Sequence, residues 1–484
     1  MNEYPALKQK AILGITWNGI ERISVQIVSF IVSIILARSL TPDDFGIIGM
    51  IIIFIGLSSV IIDSGITKAL IQKQNRTEQD FSTAFIFNIV ISLIIYIILF
   101  FCAPLIAVFY DVPLLIPIIR ILCIAIIINS LAVVQNAQLM IAMNFKKIFI
   151  VNIFSIFFSG LIAIIAVYNH LGVWSLVIHS LARSFISMSL FWLTGRWYPR
   201  QFFSFQAFKK LFNYGSKLLI AGIYGTILNN VYNVAIGRYF QQGQLGYFTK
   251  ANEFGQAIPV TITSVVRSVS FPLLASLQNN STRMVEVYQR VLKITAVVIF
   301  PTMIGLSLLS EQIISVILTE EWLPSAELLF WASLSFIFLP MSSVNMNMLN
   351  VVGRSDLFLK LDLSKLPLII LVMFITIPMG IKAMVIGNFI TSFASYFINA
   401  YLPGKLFGYG PLKQVRDIYK VIIASGGMAL SIIFMTNILN DLLILVIGIP
   451  IGALIYILAL FLLKEKEFFW IVSLLRNRIR QTVS

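Results

Sequence analysis

Charged residues, cysteine and histidine are all scarce in this sequence of 484 residues. Charged side chains make up 11% of the chain, against about 25% in a typical soluble domain. There are two histidines, and the two cysteines, Cys102 and Cys123, both lie within apolar stretches. A disulfide framework and a thiolate metal cluster are therefore excluded. The sequence also has no Walker loop, glycine-rich dinucleotide motif or H-E-x-x-H motif, so no catalytic residue, metal site or cofactor is predicted.

Long hydrophobic runs fill most of the chain. Hydrophobic residues make up 59% of the sequence, and the mean hydropathy is +0.94. The runs are separated by short polar breaks, and about 20 residues of helix cross the apolar core of a bilayer. The sequence therefore predicts an all-α integral membrane protein with about fourteen transmembrane helices. The predicted spans are 12–36, 46–71, 82–109, 114–141, 148–168, 171–193, 214–239, 246–274, 285–309, 325–350, 358–379, 381–402, 417–437 and 441–463.

Positive charge is concentrated in alternate breaks between the spans. The N-terminus, every second break and the C-terminal segment 464–480 carry lysine and arginine, whereas the intervening breaks are poor in both. By the positive-inside rule both termini lie in the cytoplasm, which requires an even number of spans. Topology and contact with membrane lipid headgroups therefore explain the net charge of +15, and no nucleic-acid partner is predicted.

A weak internal repeat relates the two halves of the chain. At an offset of 200 residues, Ala37-Arg38 aligns with Gly237-Arg238, and Gly46 aligns with Gly246. Both copies begin on the same side of the membrane, which predicts two pseudo-symmetric six-helix lobes related by an axis along the membrane normal. We expect an N-terminal lobe at 1–195, a cytoplasmic interfacial linker at 196–213, a C-terminal lobe at 214–402, and two further spans with a basic tail at 403–484. The aromatic and basic residues of 197–212 are typical of an interfacial helix.

Several charged residues lie inside the predicted spans, where an unpaired charge costs a few kcal/mol or more. Cations outnumber acids: Arg22, Arg120, Arg183, Lys250 and Arg267 stand against Glu21, Asp63 and Glu253. An anionic ligand would explain the excess of cations, and a phosphate or pyrophosphate matches the geometry of arginine. The five cations are therefore candidate pyrophosphate ligands, with Arg22 and Arg267 as the principal pair. The alternative for Glu21-Arg22 is an ion pair that only holds helices together.

Other roles are open to the remaining polar residues of the spans. The three acids are deep enough to bind a coupling ion, either a proton or sodium. Sugar recognition requires uncharged hydrogen-bonding groups and aromatic faces, and the principal candidates for it are Asn18, Asn229, Asn233 and Tyr224. The wider set of such residues within the spans comprises Trp17, Gln26, Gln135, Asn136, Asn230, Tyr232, Asn345 and Asn347. The alternative for each amide is a hydrogen bond between helices, which is common in membrane bundles.

Short motifs in both halves resemble those of one known family. The first half has Leu36–Gly46 (LARSLTPDDFG), Ala69–Lys73 and Phe81–Phe85; the second has Tyr214–Lys217, Ala235–Arg238, Leu245–Phe248 and Ser270–Leu274. In this order they resemble the Wzx-type polysaccharide flippases of the polysaccharide transporter family, within the multidrug/oligosaccharidyl-lipid/polysaccharide (MOP) superfamily. The lipid II flippase MurJ is a more distant relative by the same resemblance.

The resemblance implies a flippase of the bacterial inner membrane and not an enzyme. Its substrate would be an undecaprenyl-pyrophosphate-linked oligosaccharide, moved from the cytoplasmic to the periplasmic leaflet for the synthesis of O-antigen, capsule or exopolysaccharide. Family analogy also implies cation-driven transport by alternating rocking of two lobes, and a monomer. A polysaccharide polymerase and a chain-length regulator would be its protein partners.

Two other functions remain open from the sequence. A drug exporter of the same superfamily, like the multidrug MATE transporters, would have a cavity dominated by acids. A membrane polysaccharide polymerase or ligase would resemble chains with a large external loop that carries catalytic arginine and histidine. The longest external break here, at 310–324, is short and contains neither residue.

Overall fold

The computed structural model describes residues 3–63, 65–195, 197–470 and 472–473, except for the side chains of 3–16, 18, 214 and 355. Helices account for nearly all of this part of the chain, and it contains no strand. The helices are α1 (Glu3–Ala37), α2 (Pro42–Asp63), α3 (Ile66–Gln72), α4 (Glu78–Tyr110), α5 (Leu115–Leu122), α6 (Ile124–Ser130), α7 (Val133–Ile141), α8 (Phe145–Tyr168), α9 (Trp174–Gly195), α10 (Phe205–Tyr239), α11 (Gln242–Ala275), α12 (Ser281–Leu308), α13 (Ser310–Ile317), α14 (Pro324–Phe336), α15 (Phe338–Val351), α16 (Ser355–Ser364), α17 (Leu366–Thr376), α18 (Ile381–Phe407), α19 (Pro411–Asp417), α20 (Tyr419–Thr436), α21 (Asp441–Leu443) and α22 (Ile449–Leu462).

The predicted all-α membrane fold is confirmed. Within the described residues, 13 helices or runs of consecutive helices are long and apolar enough to cross a membrane. The predicted span at 358–379 is the one missing from that set, and it is divided into α16 and α17. Pro367 lacks the N–H that a continuous helix would direct at Leu363. Beside the break, Lys365 Nζ lies 2.5 Å from Asp362 Oδ1.

The chain forms two compact units, Met1–Thr249 and Lys250–Ser484. In the first unit, α8 packs against both α1 and α9, and α10 packs along α2. In the second, α18 packs against α14 and α15, and α20 lies between α12 and α22. These limits differ from the predicted lobes because α10 contacts α2 and α3 of the first unit. The division into repeated lobes, which concerns ancestry and symmetry, stays a prediction.

The predicted interfacial helix at 197–212 is only partly correct. Residues 197–204 are not helical, and a regular helix begins at Phe205. Pro199 disfavours a helix here, and the backbone N–H groups of Arg200 and Gln201 both donate to Ser82 Oγ at 3.3 Å. The Trp197 indole also donates to Glu78 Oε1 at 2.8 Å. The segment is therefore attached to the first turns of α4.

One feature of the repeat is visible inside the first unit, where the starts of α2 and α11 touch. A Cβ added at Gly46 would overlap the carbonyl oxygen of Gln242, and one added at Gly246 would overlap the carbonyl oxygen of Pro42. Gly46 thus packs on Gln242, four residues before Gly246, and Gly246 packs on Pro42, four residues before Gly46. The contact is reciprocal, as a local two-fold relation between the copies requires.

A buried polar cluster centred on Gln414 joins four helices of the second unit. Gln414 Nε2 donates to Tyr288 Oη and to Asn345 Oδ1, both at 3.0 Å, and its Oε1 accepts from Tyr396 Oη at 2.8 Å. Tyr288 also donates to Asn345. Because Gln414 itself is completely buried, the cluster connects α19 to α12, α15 and α18 through satisfied hydrogen bonds.

Two carboxylates lie just beyond α22. Glu465 is 5% exposed, and Glu467 Oε1 lies 3.6 Å from Lys293 Nζ of α12. Burial raises the pKa of Glu465 to about 7, and its hydrogen bond to Glu467 adds to the shift. The pair therefore shares a proton near neutral pH, with Lys293 close to the charged partner.

Candidate substrate-binding site

Glu21 and Arg22 have different surroundings on α1. Glu21 is half-buried, and its Oε1 accepts a hydrogen bond of 2.8 Å from Asn152 Nδ2 of α8. Arg22 is exposed. Neighbouring residues on a helix point about 100° apart, so Glu21 can join α1 to α8 while Arg22 faces elsewhere. The partner that the structure gives Glu21 is thus Asn152.

The predicted pyrophosphate ligands Arg120 and Lys250 are both held by contacts within the protein. Arg120 Nε donates to the carbonyl oxygen of Phe100 at 3.4 Å, and its guanidinium lies 4.3 Å from the centre of the Phe100 ring. Lys250 is fully buried, and its Nζ lies 2.9 Å from Glu253 Oε2. These contacts neutralise Lys250 and hold Arg120 against α4, so each cation has a structural role in this conformation.

Arg183 lies on α9, one turn after His179. Its side chain is exposed, whereas His179 Nε2 is buried and has no hydrogen-bond partner among the described residues. Asp63, the remaining acid of the predicted set, is half-buried at the C-terminal end of α2. These positions leave Arg183 open to a ligand.

The predicted sugar contacts lie mostly on α10. Asn229 is exposed, Tyr224 is half-buried, and Asn233 Nδ2 is 3.4 Å from Asn230 Oδ1. Asn230 in turn donates to the carbonyl oxygen of Thr226 at 2.8 Å. The side chain of Asn18 lies outside the described residues. Asn233 is therefore engaged within its own helix, and Asn229 faces outward.

Arg267 is the predicted ligand with the most developed surroundings. It is exposed on α11 and lines a cavity of about 410 Å³ within the second unit. Its Nη2 donates to Ser343 Oγ of α15 at 3.4 Å, a long hydrogen bond that leaves most of the guanidinium donors for a ligand. The other residues that line the cavity are Ser268, Phe271, Pro272, Asn347, Asn350 and Phe358.

The α15 side of this cavity was not predicted as a unit. Ser343, Asn347 and Asn350 are spaced by four and three residues, which places them on one face of α15. Asn347 Nδ2 donates to Ser270 Oγ at 3.2 Å, parallel to the contact between Arg267 and Ser343. The spacing is present in the sequence and could have indicated a polar stripe. Its position opposite Arg267 depends on how α11 and α15 pack.

The cavity combines one cation with two amides, one hydroxyl and two aromatic rings, and none of the described residues that line it is acidic. Such a set can bind an anion through the guanidinium and a neutral polar group through the amides. It does not suit an organic cation, which would require a carboxylate or a more enclosed aromatic site.

Comparison with known proteins identifies the family. A family model described as "Polysaccharide biosynthesis protein" matches residues 35–327, more than half of the chain. The chain belongs to this polysaccharide biosynthesis family. With its 13 candidate membrane spans among the described residues, the protein is therefore a multi-pass membrane protein of polysaccharide biosynthesis.

Individual relatives agree with the family assignment. The teichuronic acid biosynthesis protein TuaB of Bacillus subtilis (strain 168) is 25% identical over 378 residues, 78% of each chain. The succinoglycan biosynthesis transport protein ExoT of Rhizobium meliloti (strain 1021) is 24% identical over 319 residues, which cover 66% of this chain and 65% of ExoT. The structure of the lipid II flippase MurJ in an inward closed conformation matches with a TM-score of 0.74 at 17% identity, covering 93% of this chain and 98% of MurJ. This chain therefore has a MurJ-like fold.

Proposed function

We propose that this transporter is a flippase for an undecaprenyl-pyrophosphate-linked oligosaccharide. It would move the lipid from the cytoplasmic to the periplasmic leaflet of the bacterial inner membrane, with both protein termini in the cytoplasm. The family, the MurJ-like fold and the names of the relatives support a role in polysaccharide export. The observation that carries the choice of substrate is the cavity beside Arg267, which offers a cation and no acid.

In this proposal the pyrophosphate binds to arginines that are exposed within membrane-spanning helices. Arg22 and Arg267 are the principal ligands because each is exposed, on α1 and α11 respectively. Arg183 is a further candidate on the same ground, whereas Arg120 and Lys250 would have to leave Phe100 and Glu253. A long polyprenyl chain can remain in the lipid while the headgroup enters a polar site.

Coupling to a proton or sodium ion is part of the same proposal. The candidate acids are Glu21, Asp63 and Glu253, of which Glu21 and Glu253 already accept a hydrogen bond from Asn152 and Lys250. An acid that alternates between a protein partner and an ion can favour one of two conformations, as alternating access requires. Transport assayed with imposed proton and sodium gradients, each alone, would identify the ion.

The test is flipping in proteoliposomes that contain an undecaprenyl-pyrophosphate-linked sugar. A hydrogen bond to a charged group contributes about 1.5–3 kcal/mol, so Arg22→Ala and Arg267→Ala should each reduce the rate about 10- to 100-fold. Arg267→Lys should retain part of the activity because it keeps the charge but not the forked geometry. Arg354→Ala is the matched control, since Arg354 is exposed and pairs with its neighbour Asp356. Wild-type rates in both arginine variants would rule out the pyrophosphate assignment.

The same variants separate this function from drug export. A MATE-like exporter of organic cations should be unaffected or improved by loss of Arg267, because the guanidinium would repel its substrate. Export of an organic cation by the wild-type protein, retained in Arg267→Ala, would support that alternative.

A further inference from the structure

The cavity of the second unit contains more than an anion site. Its volume of about 410 Å³ lies near the lower end of the range for small-ligand sites, roughly 300–1,000 Å³. That size suits a phosphorylated single sugar and is too small for a repeat unit of several sugars. If Arg267 binds the phosphate, only the sugar bonded directly to the phosphate can share the cavity.

The amide of Asn347 is fixed in orientation. Asn347 is 4% exposed, and its Nδ2 is used by Ser270 Oγ at 3.2 Å. Its Oδ1 accepts no hydrogen bond from the described residues, although the side chain lines the cavity. This oxygen therefore remains available to accept a hydrogen bond from a ligand hydroxyl or N–H in the cavity.

Asn350 adds a second amide one turn further along α15. It is half-buried, lines the same cavity, and its side chain makes no hydrogen bond within the described part of the chain. A primary amide both donates and accepts. The two asparagines can therefore read the pattern of donors and acceptors on a sugar ring, which a single cation cannot.

Two aromatic rings complete the lining. Phe271 lies on α11 one turn after Arg267 and is 43% exposed, and half-buried Phe358 comes from α16. The face of an aromatic ring carries partial negative charge, so it attracts the polarised C–H groups of a sugar. Cation, amides and rings thus come from three different helices and surround one space.

We propose that this cavity is the subsite that recognises the phosphate-proximal sugar of the substrate. Arg267 binds the phosphate, Asn347 and Asn350 bind hydroxyl or acetamido groups, and Phe358 contacts the ring face. The inference rests on the proposed flippase function and deepens it, because it moves sugar recognition from the α10 residues Asn229 and Asn233 to α15 and α16.

The experiment measures binding of four lipids to purified full-length protein: undecaprenyl pyrophosphate alone, and the same lipid carrying glucose, galactose or N-acetylglucosamine. Wild type should bind at least one of the glycosylated lipids about 10-fold more tightly than the bare lipid. Asn350→Ala and Phe358→Leu should remove most of this preference and keep the affinity for the bare lipid within about twofold. Arg267→Ala should weaken the binding of all four lipids.

Other results would overturn either the proposed function or the subsite alone. Failure of wild type to bind any of the lipids would overturn the proposed function itself. Binding of the bare lipid without any sugar preference, or a preference that survives in both Asn350→Ala and Phe358→Leu, would overturn only the subsite. Loss of the preference in Asn229→Ala instead would assign sugar recognition to α10. Thermal unfolding of each variant checks that the fold is intact, and Asn347→Ala is avoided because Asn347 also holds Ser270.

Discussion

Replacing Gly46 by alanine should separate the start of α2 from the start of α11. The added Cβ would overlap the carbonyl oxygen of Gln242, and this obstacle is backbone, which cannot rotate away as a side chain can. Carbon and carbonyl oxygen normally approach to about 3.3–3.6 Å. The two helix ends must therefore move apart by about 1 Å or more, which also disturbs the reciprocal contact at Gly246.

The magnitude follows from overpacking costs, which are typically 1–3 kcal/mol. Because the clash is with backbone on a shared contact, we expect the upper part of this range, about 2–3 kcal/mol. A free-energy change of 1.4 kcal/mol alters an equilibrium constant tenfold. The population with the two helix ends in contact should therefore fall about 30- to 100-fold relative to the population with the helix ends apart. Gly246→Ala should have a similar effect. The double variant should be less than additive, since both substitutions break one contact.

Cysteine cross-linking can measure this separation. In a background with Cys102 and Cys123 replaced by alanine, cysteines are placed at Asp43 and Gly243, where a Cβ at 243 lies 3.1 Å from Asp43 Oδ1. A short thiol-specific cross-linker should react rapidly in the parent and at least 10-fold more slowly once Gly46→Ala is added. Gly225→Ala is the matched control, because a Cβ there meets no atom within 4 Å. Unchanged cross-linking in a folded Gly46→Ala protein would refute the steric reasoning.

Three further predictions concern stability and local order. Asn152→Ala should lower the thermal unfolding temperature by removing the partner of half-buried Glu21, at a cost of about 1–3 kcal/mol, and adding Glu21→Gln should recover part of the loss. Ser82→Ala should increase tryptic cleavage after Arg200, because two backbone N–H groups of the linker lose their acceptor, whereas exposed Ser59→Ala should not. Thermal stability should fall as the pH rises from about 4.5 through 7, because folded Glu465 keeps a proton that the unfolded chain releases near its ordinary pKa of 4.5. Glu465→Gln should flatten this fall, and an unchanged pH profile in that variant would exclude Glu465 as its source.

The broad fold was predictable because the membrane imposes it. Backbone groups in lipid must be satisfied within helices, so apolar runs of about 20 residues translate directly into spans. The two places where the structure differs from the prediction depend on single residues, whose effect is lost when hydropathy is averaged over a whole span. Pro367 and the ion pair of Lys365 with Asp362 divide one expected span, and Pro199 together with the Ser82 hydroxyl replaces an expected helix by an anchored extended segment.

The candidate site was only partly predictable. Charge within apolar runs indicated Arg22 and Arg267 as candidate ligands, because an unpaired charge inside the membrane raises the free energy of the folded protein. Their partners depend on packing between helices far apart in sequence, such as Arg267 with Ser343 or Glu21 with Asn152. For the same reason the sequence could not separate Arg120, which rests on Phe100, from an arginine that is open to a ligand.

The Gln414 cluster has a consequence for the order in which the chain is made. The three side chains that meet Gln414 are Tyr288, Asn345 and Tyr396, and all of them leave the ribosome before it does. Until residue 414 is present, their buried polar atoms lack the partner that completes their hydrogen bonds, at about 1–3 kcal/mol for each unsatisfied group. The second unit therefore reaches its final packing only late in synthesis. The C-terminal helices complete the transporter, and a gene truncated before α19 would yield a chain inserted in the membrane but unable to close its core.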